Sequence, residues 1–545
     1  MDRLDSGSMP NLSRNEFIAL VAREPAGSSV AVPLCIRLLA DQLTPVLGYR
    51  RLVAADERTA PSFLLESVEG GERQGRYSIL GAQPAVEVVA YGKDVRIHGH
   101  RPADGLAAAP GLRSIQAPDP LRILRDLSHG VRLVLPPARR GGLPACFLGG
   151  WVGFAGYDTV RYAEPEKLGR PPADDRDLPD LHFGFYDGVV VFDHVDKLVH
   201  VVGLAFVGPG SDAGRAYDLA LERIGARVQE IQRHSKPLPA GIVEAESGPP
   251  AALPSNITRA QHAAMVAKAR EYIAAGDIFQ VVIGQRFERR SKADPFDVYR
   301  ALRAVNPSPY MVYMQAEGCI LVASSPEILC RVRREGGGAA PAMVVTNRPL
   351  AGTRRRGQTA EEDAALEVEL LGDAKECSEH IMLVDLGRND VGRVARAGSI
   401  ALPRVMEVER YSHVMHISST VTGELRPGLD CWDALRAALP VGTISGAPKI
   451  RAMQIIDELE PVKRGPYGGG MGYVGLDGQM DIALALRTMV VPLARHAADG
   501  SWVYHLQAAG GIVADSKAED EYQETVNKAA ALARAIDLAE RAFGV

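Results

Sequence analysis

The sequence predicts an α+β protein with antiparallel β-sheets packed against helices. Three observations lead there. Short β-rich runs, among them Ala85–Tyr91, Gly188–Phe192 and Leu198–Val202, fall between about 31 and 205, separated by turn-forming clusters. Strands and helices alternate irregularly after Thr258, without the βαβ units of a parallel doubly wound sheet. With 545 residues, 46% of them hydrophobic, the chain can fill two domains or two large subdomains.

In chain order, residues 1–30 read as a polar, partly mobile extension, and 31–233 as the first structured region. Within it, 101–120 reads as a surface excursion. The run Gly149–Gly156 reads as a structural turn, because it lacks the strand-turn-helix context of a dinucleotide site. Leu219, Leu221, Ile224, Val228 and Ile231 repeat at helical spacing, so 214–233 is expected to be a helix. Residues 234–257 are the expected linker, rich in Pro, Gly, Ser and Ala from His234 to Ser255. Thr258 can cap a helix whose apolar face is Met265, Val266, Tyr272 and Ile273. This opens a second region, 258–535, followed by a tail, 536–545. Residues 335–342 form a low-complexity turn between two strands.

Charge and cysteine usage narrow the function. Sixty-two basic and 67 acidic residues leave a formal net charge of −5, which does not suggest a nucleic-acid partner. The six cysteines, at 35, 146, 319, 330, 377 and 431, form no Cys-x-x-Cys pair and suit a reducing cytoplasm. Neither a secretory signal nor an apolar run long enough to span a membrane is read.

Two acidic pairs are the main chemical signal. Glu376 and Glu379 lie in one amphipathic helical pattern, Glu521 and Glu524 in another. A spacing of three places both carboxylates of each pair on one helix face. Four such groups brought together would need a cation, and oxygen ligands favour Mg²⁺. The alternative is two solvated faces, commoner on pattern alone. Glycine-rich turns at 351–354, 442–449, 467–470 and 509–511 would let backbone N–H groups approach an anion, or are ordinary tight turns. Arg487, inside an apolar run, calls for a carboxylate, either from a ligand or from an internal Asp or Glu.

These residues lie in longer motifs: Leu64–Ser67, Gly75–Ser78, Gly276–Val282, Asn306–Met311, Ser324–Glu327, Ala351–Arg354, Glu379–Asp390 and Gly442–Met453. In this order they closely resemble the large-subunit anthranilate synthases of the chorismate-utilising family, over about 45–205 and 258–535. The resemblance implies two interleaved subdomains. It also implies conversion of chorismate and ammonia to anthranilate and pyruvate through aminodeoxyisochorismate, the committed step of tryptophan synthesis. It implies Mg²⁺ held mainly by Glu379 and Glu524, with Glu376 and Glu521 assisting. Gly352, Thr353, Tyr467, Arg487, Ala509, Gly510 and Gly511 resemble chorismate contacts. Glu327 resembles the acid that assists loss of the hydroxyl, His416 the histidine of the later elimination, and Thr443 a residue near the ring. Without the resemblance, Glu327 would be a surface strand-end residue, Thr443 a helix cap and Tyr467 an aromatic packed over a turn.

Two positions discriminate within the family. Gln280 stands where water-adding relatives have a basic lysine, and a glutamine cannot act as that base. Ala351 stands where aminodeoxychorismate synthases have a nucleophilic lysine. Aminodeoxychorismate synthase is therefore the alternative enzyme; a non-catalytic tryptophan-binding subunit is the alternative of another class. Ala509 departs from the family's usual Gly-Ala-Gly and would be strained at a positive φ. Ser67, Pro309, Tyr310 and Met311 resemble a feedback site for L-tryptophan, with Glu66, Arg76 and Tyr77 beside it. No glutaminase segment is recognisable, so a separate glutamine amidotransferase subunit is the expected ammonia source, in a hetero-oligomer or homodimer.

Overall fold

The computed structural model describes residues 10–54, 59–69, 73–101, 106, 108–137, 142–233, 238–243, 253–336, 342–411 and 414–544. Two 12-stranded sheets dominate it. In the first, strands Gln280–Ser291, Trp502–Ile512, Thr488–Pro492, Cys319–Ser325 and Tyr310–Ala316 continue directly into Ser62–Glu66, Tyr77–Ala82, Gly188–Asp193, Leu198–Val207 and Ser29–Leu39. In the second, Val414–Glu424, Ala342–Arg348, Ile328–Glu335, Met480–Leu484 and Gly470–Gly475 continue into Gly150–Ala155, Leu181–Tyr186, Val86–Tyr91 and Asp94–Gly99. The first sheet is six N-terminal and six C-terminal strands and the second five and seven, which is the interleaving. Pairing between named strands is antiparallel except where Ser29–Leu39 meets Val131–Leu133.

Alternation along the strands sends apolar residues of both sheets into one shared layer. Phe63, Val191, Val312 and Leu321 of the first sheet meet Val152, Phe154, Met471 and Ala483 of the second. Helices Ala213–Gln232, Pro295–Val305 and Ala518–Phe543 cover the other face of the first sheet. The Thr258 cap forms as expected: its side chain accepts from Gln261 N–H while Gln261 closes the capping box.

Several expectations change. The run Gly149–Gly156 is no turn: Gly150–Ala155 is a fully buried strand joining the two halves of the second sheet. Its glycines serve close backbone approach, since a Cβ on Gly153 would lie 2.0 Å from the His182 carbonyl oxygen. The N-terminal extension is anchored over its described part. Ser13 caps the helix Arg14–Val21, Phe17 is buried, and Tyr217 Oη donates to the Leu12 carbonyl. The tail also disappears, because the last helix runs to Phe543 with Ile536 and Ala539 in the core. In the 101–120 excursion, Gly111–Gln116 is a mostly exposed edge strand and Pro120 opens a helix. Residues 234–237 and 244–252 of the linker, and 337–341 of the low-complexity turn, lie outside the described residues. No described helix is long and apolar enough to cross a membrane.

Candidate active site

One cavity, of about 640 Å³, gathers most of the residues singled out above. Its walls include Gln280, Glu327, Gly352, Thr353, Glu376, Glu379, His416, Thr443, Tyr467, Arg487, Ala509, Gly511, Glu521 and Glu524. Gly510 has its Cα side toward Glu521, whose Oε2 would lie 3.1 Å from an added Cβ.

Both acidic pairs lie on helices and face the cavity. Glu376 and Glu379 are on Ala374–Gly392, whose N-cap is Asp373; Glu521 and Glu524 are on Ala518–Phe543. Burial, then proximity of the other carboxylates, raises the pKa of Glu376. Burial leads for Glu379 and Glu521 too; Gln280 and Ser516 hydrogen bonds oppose it, and Glu524 adds repulsion to both. Glu521 Oε2 is buried without a hydrogen-bond partner among the described residues. Such a set of hard oxygen donors, with neighbouring carboxylates disfavouring ionisation of Glu376, Glu379 and Glu521, fits a divalent cation. The four are not drawn tight: the close three-ligand cluster found among the described residues lies elsewhere.

The backbone between the pairs is built for close approach. Strand Leu350–Arg355 bulges between Ala351 and Thr353, with Gly352 at φ +64°. Ala509 lies in regular strand opposite Gly284, outside the positive-φ residues, so the expected strain does not arise. A side chain on Gly511 would strike Gln280 Nε2 at 2.6 Å. That amide instead donates to Glu379 Oε1 at 2.8 Å, and its Oε1 has no partner among the described residues.

Across the cavity, Glu327 is 2% exposed. Its one side-chain hydrogen bond comes from Thr443 Oγ1, at 2.8 Å to Oε1. Burial pushes its carboxyl up to about 8, with the Thr443 bond opposing. Thr443 lies within the short helix Gly442–Ser445 and does not cap it. His416 is also buried, and desolvation, then Arg487, lowers its imidazolium pKa to about 4. Its Nδ1 lies 2.9 Å from the Gly352 carbonyl oxygen, so Nδ1 carries the proton and donates. Nε2, left with its lone pair, has no partner among the described residues.

Arg487, at φ +45°, is half-buried, and desolvation lowers its pKa. No ion pair to it is found among the described residues, so the internal Asp or Glu alternative is not realised. Tyr467 is buried, with its hydroxyl at the Ala509 backbone. Sequence reasoning missed Lys528, whose ammonium bridges Glu524 (2.6 Å) and the Ala509 carbonyl (2.9 Å). Its position four residues after Glu524 was the available signal.

The proposed regulatory residues form a separate group. Met311 pairs with Glu66 across adjoining strands, which brings the segment ending at Ser67 beside Tyr310. A Cβ on Gly75 would lie 2.7 Å from Ser67 Cβ, so the two N-terminal motifs touch. Tyr310 Oη donates to Asp481 and accepts from Arg331, both at 2.8 Å. Pro309 precedes this strand. Glu66 is engaged by Ser78, Tyr299 and Arg303; Arg76 pairs with Asp193; Tyr77 Oη accepts from Ala145 N–H.

Fold and site together define an enzyme built around a buried acid, a neutral histidine and a carboxylate-lined cavity, and the comparisons give it a family. Residues 60–534 match the chorismate binding enzymes, and the chain belongs to that family. Within it, the chain is similar to large subunits of anthranilate synthase. It is 53% identical to anthranilate synthase alpha subunit 1, chloroplastic, of Oryza sativa subsp. japonica, covering 94% of this chain and 89% of the relative. It is 43% identical to anthranilate synthase component 1 of Pseudomonas aeruginosa, over 97% and 99%. The crystal structure of anthranilate synthase component I from Streptococcus pneumoniae superposes with a TM-score of 0.69 at 35% identity, covering 91% of this chain and 99% of that one.

Proposed function

We propose that the protein is the large subunit of anthranilate synthase, a lyase converting chorismate and ammonia to anthranilate and pyruvate in tryptophan synthesis. The observation that carries this reading is a buried carboxylic acid, Glu327, facing the same cavity as four glutamates and a guanidinium that has no ion-pair partner among the described residues.

Chorismate has two carboxylates, and the cavity offers two kinds of cationic partner. Arg487, with Tyr467 and the backbone around Gly352, Thr353, Ala509, Gly510 and Gly511, suits one of them. Glu376, Glu379, Glu521 and Glu524 would hold Mg²⁺, which when bound neutralises the glutamates and anchors the other carboxylate. Glu327, protonated near neutral pH, donates its proton to the departing C4 hydroxyl, and Thr443 holds it in place. Ammonia adds at C2. The free Gln280 Oε1 can accept an N–H there, and glutamine offers no base to activate water instead. Elimination of pyruvate requires loss of the ring proton at C2, and the His416 Nε2 lone pair is the available base. Ala351 offers no nucleophile, which disfavours the aminodeoxychorismate synthase route.

L-Tryptophan is the proposed inhibitor, at Ser67, Pro309, Tyr310 and Met311. What supports it is continuity: Asn306, Pro307 and Ser308, just before these residues, line the catalytic cavity. Tryptophan would then bind better to an arrangement that displaces this segment. A glutamine amidotransferase subunit is the proposed ammonia source, and a reducing cytoplasm the proposed setting, in which all six thiols stay free as they are here. The test is to incubate the purified chain with chorismate, Mg²⁺ and an ammonium salt and follow anthranilate fluorescence. 4-Aminobenzoate, salicylate or no product would each replace this reading.

A further inference from the structure

Far along the second sheet from the cavity, two adjacent strands display a second constellation. Glu87, His98 and His100 bring one ligand atom each within 4.8 Å of one another. The register explains why: Glu87 pairs directly with His98 across strands Val86–Tyr91 and Asp94–Gly99, and His100 follows two residues later on the same face. The two imidazoles lie with ring centroids 4.0 Å apart.

Glu87 is buried and oriented from behind. Its Oε2 is 3.0 Å from His182 Nε2, on the neighbouring strand. His182 Nδ1 accepts the Glu317 backbone N–H at 2.7 Å, so its proton is on Nε2 and it donates to Glu87. A buried histidine thus fixes the carboxylate and leaves the other oxygen, Oε1, toward His100 Nε2. The exposed His98 imidazole has no hydrogen-bond partner among the described residues and lies against the His100 ring. Burial would raise the Glu87 carboxyl, yet the bonds from His182 and His100 hold it below the ordinary range, as an anion.

We propose that Glu87, His98 and His100 form a binding site for a divalent transition metal of the zinc type, with His182 as its positioning residue. Two imidazoles and one carboxylate suit Zn²⁺ and discriminate against Mg²⁺, which prefers oxygen donors. Metal–ligand distances of about 2 Å require only side-chain adjustment from the present spacing. Exposure of both histidines gives the ion access and leaves room for water as a further ligand. The chain Glu317 N–H, His182, Glu87 has the form of an outer-sphere support, in which each hydrogen bond orients the next group inward. The ion would clamp the hairpin near the sheet edge and stabilise the fold by binding the native state alone.

The test is a zinc titration of the full-length chain in saturating Mg²⁺, which keeps the four-glutamate cavity occupied. One equivalent of Zn²⁺ is expected, with a rise in melting temperature, and Co²⁺ substitution should give visible absorption bands of a nitrogen–oxygen site. The double variant His98→Gln/His100→Gln, in which the amide replacing the His100 ring can still donate to Glu87, should fold with at most a small loss of metal-free melting temperature and lose the equivalent, the thermal shift and the bands. His182→Gln should weaken the affinity roughly 10–100-fold. Absence of a zinc equivalent in the natural sequence overturns the proposal. So does a zinc equivalent that survives in the double variant, because the ion then sits elsewhere.

Discussion

Two places in the interior hold an arginine and a glutamate, and they are treated in opposite ways. Beneath the cavity floor, Arg464 and Glu460 are paired through two hydrogen bonds of 2.9 and 2.6 Å. The remaining guanidinium N–H groups reach the Ile444 and Val282 carbonyls, Gly284 N–H donates to Glu460, and Tyr157 lies under the guanidinium at 4.6 Å. In the cavity, Glu327 is buried and Arg487 half-buried, but Glu327 has only the Thr443 hydrogen bond and Arg487 has no ion-pair partner among the described residues. A buried charge unpaired by its own protein costs stability. On the proposed reading the partner of Arg487 is a ligand, whereas the Arg464–Glu460 pair is a structural joint between chain segments.

That contrast can be broken by substitution. The largest effect is expected at Glu327→Gln, which keeps the shape and removes the transferable proton. Anthranilate formation should fall by roughly 10²–10⁴-fold, the usual contribution of a general acid, while urea denaturation shows no loss of stability. A small effect on turnover would remove Glu327 from the proton transfer. Arg464→Ala should do the reverse, costing about 3–5 kcal/mol in denaturant unfolding because Glu460 is left charged and buried; a loss below about 1 kcal/mol would contradict a structural role. Arg487→Met should leave stability equal or higher and raise the chorismate KM by about 10–100-fold, the scale of one charged hydrogen-bonding partner.

The smaller effects are in pH. Glu327 has a folded-state pKa of about 8 against an ordinary 4.5, so the native state holds a proton that the unfolded chain has lost. Its contribution to stability is therefore fully present below about 4.5 and is lost as pH rises to about 8. Wild type should lose stability across this window relative to Glu327→Gln, by chemical denaturation at each pH. Turnover should likewise decline as the carboxylate forms near pH 8. Equal pH slopes in the two proteins would show that the acid is solvated.

Local pattern placed the acidic pairs on single helix faces, but only the family resemblance pointed to Glu327, His416, Thr443 and Tyr467. The carboxylate pairs Glu376/Glu379 and Glu521/Glu524 follow from helical periodicity, and the Thr258 capping box from residue type. Glycine was the ambiguous letter. The density of glycine at 149–156 suggested a turn, yet it belongs to a strand whose neighbours approach too closely for side chains. The worry about Ala509 vanished for a related reason, since regular pairing with Gly284 asks no positive φ of it. Lys528 was passed over because its spacing of four from Glu524 is equally that of an ordinary solvated helix pair.

By itself the sequence determined many of the helices and strands and which residue types can hold a cation, donate a proton or line an anion site. Those are properties of near neighbours, set by side-chain chemistry and by the 3.6- and 2-residue periods. Only the tertiary structure decided which buried charges are neutralised internally and which await a ligand. Glu327 meets Thr443 across 116 residues of sequence, and Glu87 meets His182 across 95. Ionisation and pairing depend on distance in space and exclusion of water, and neither is encoded in any one stretch of chain.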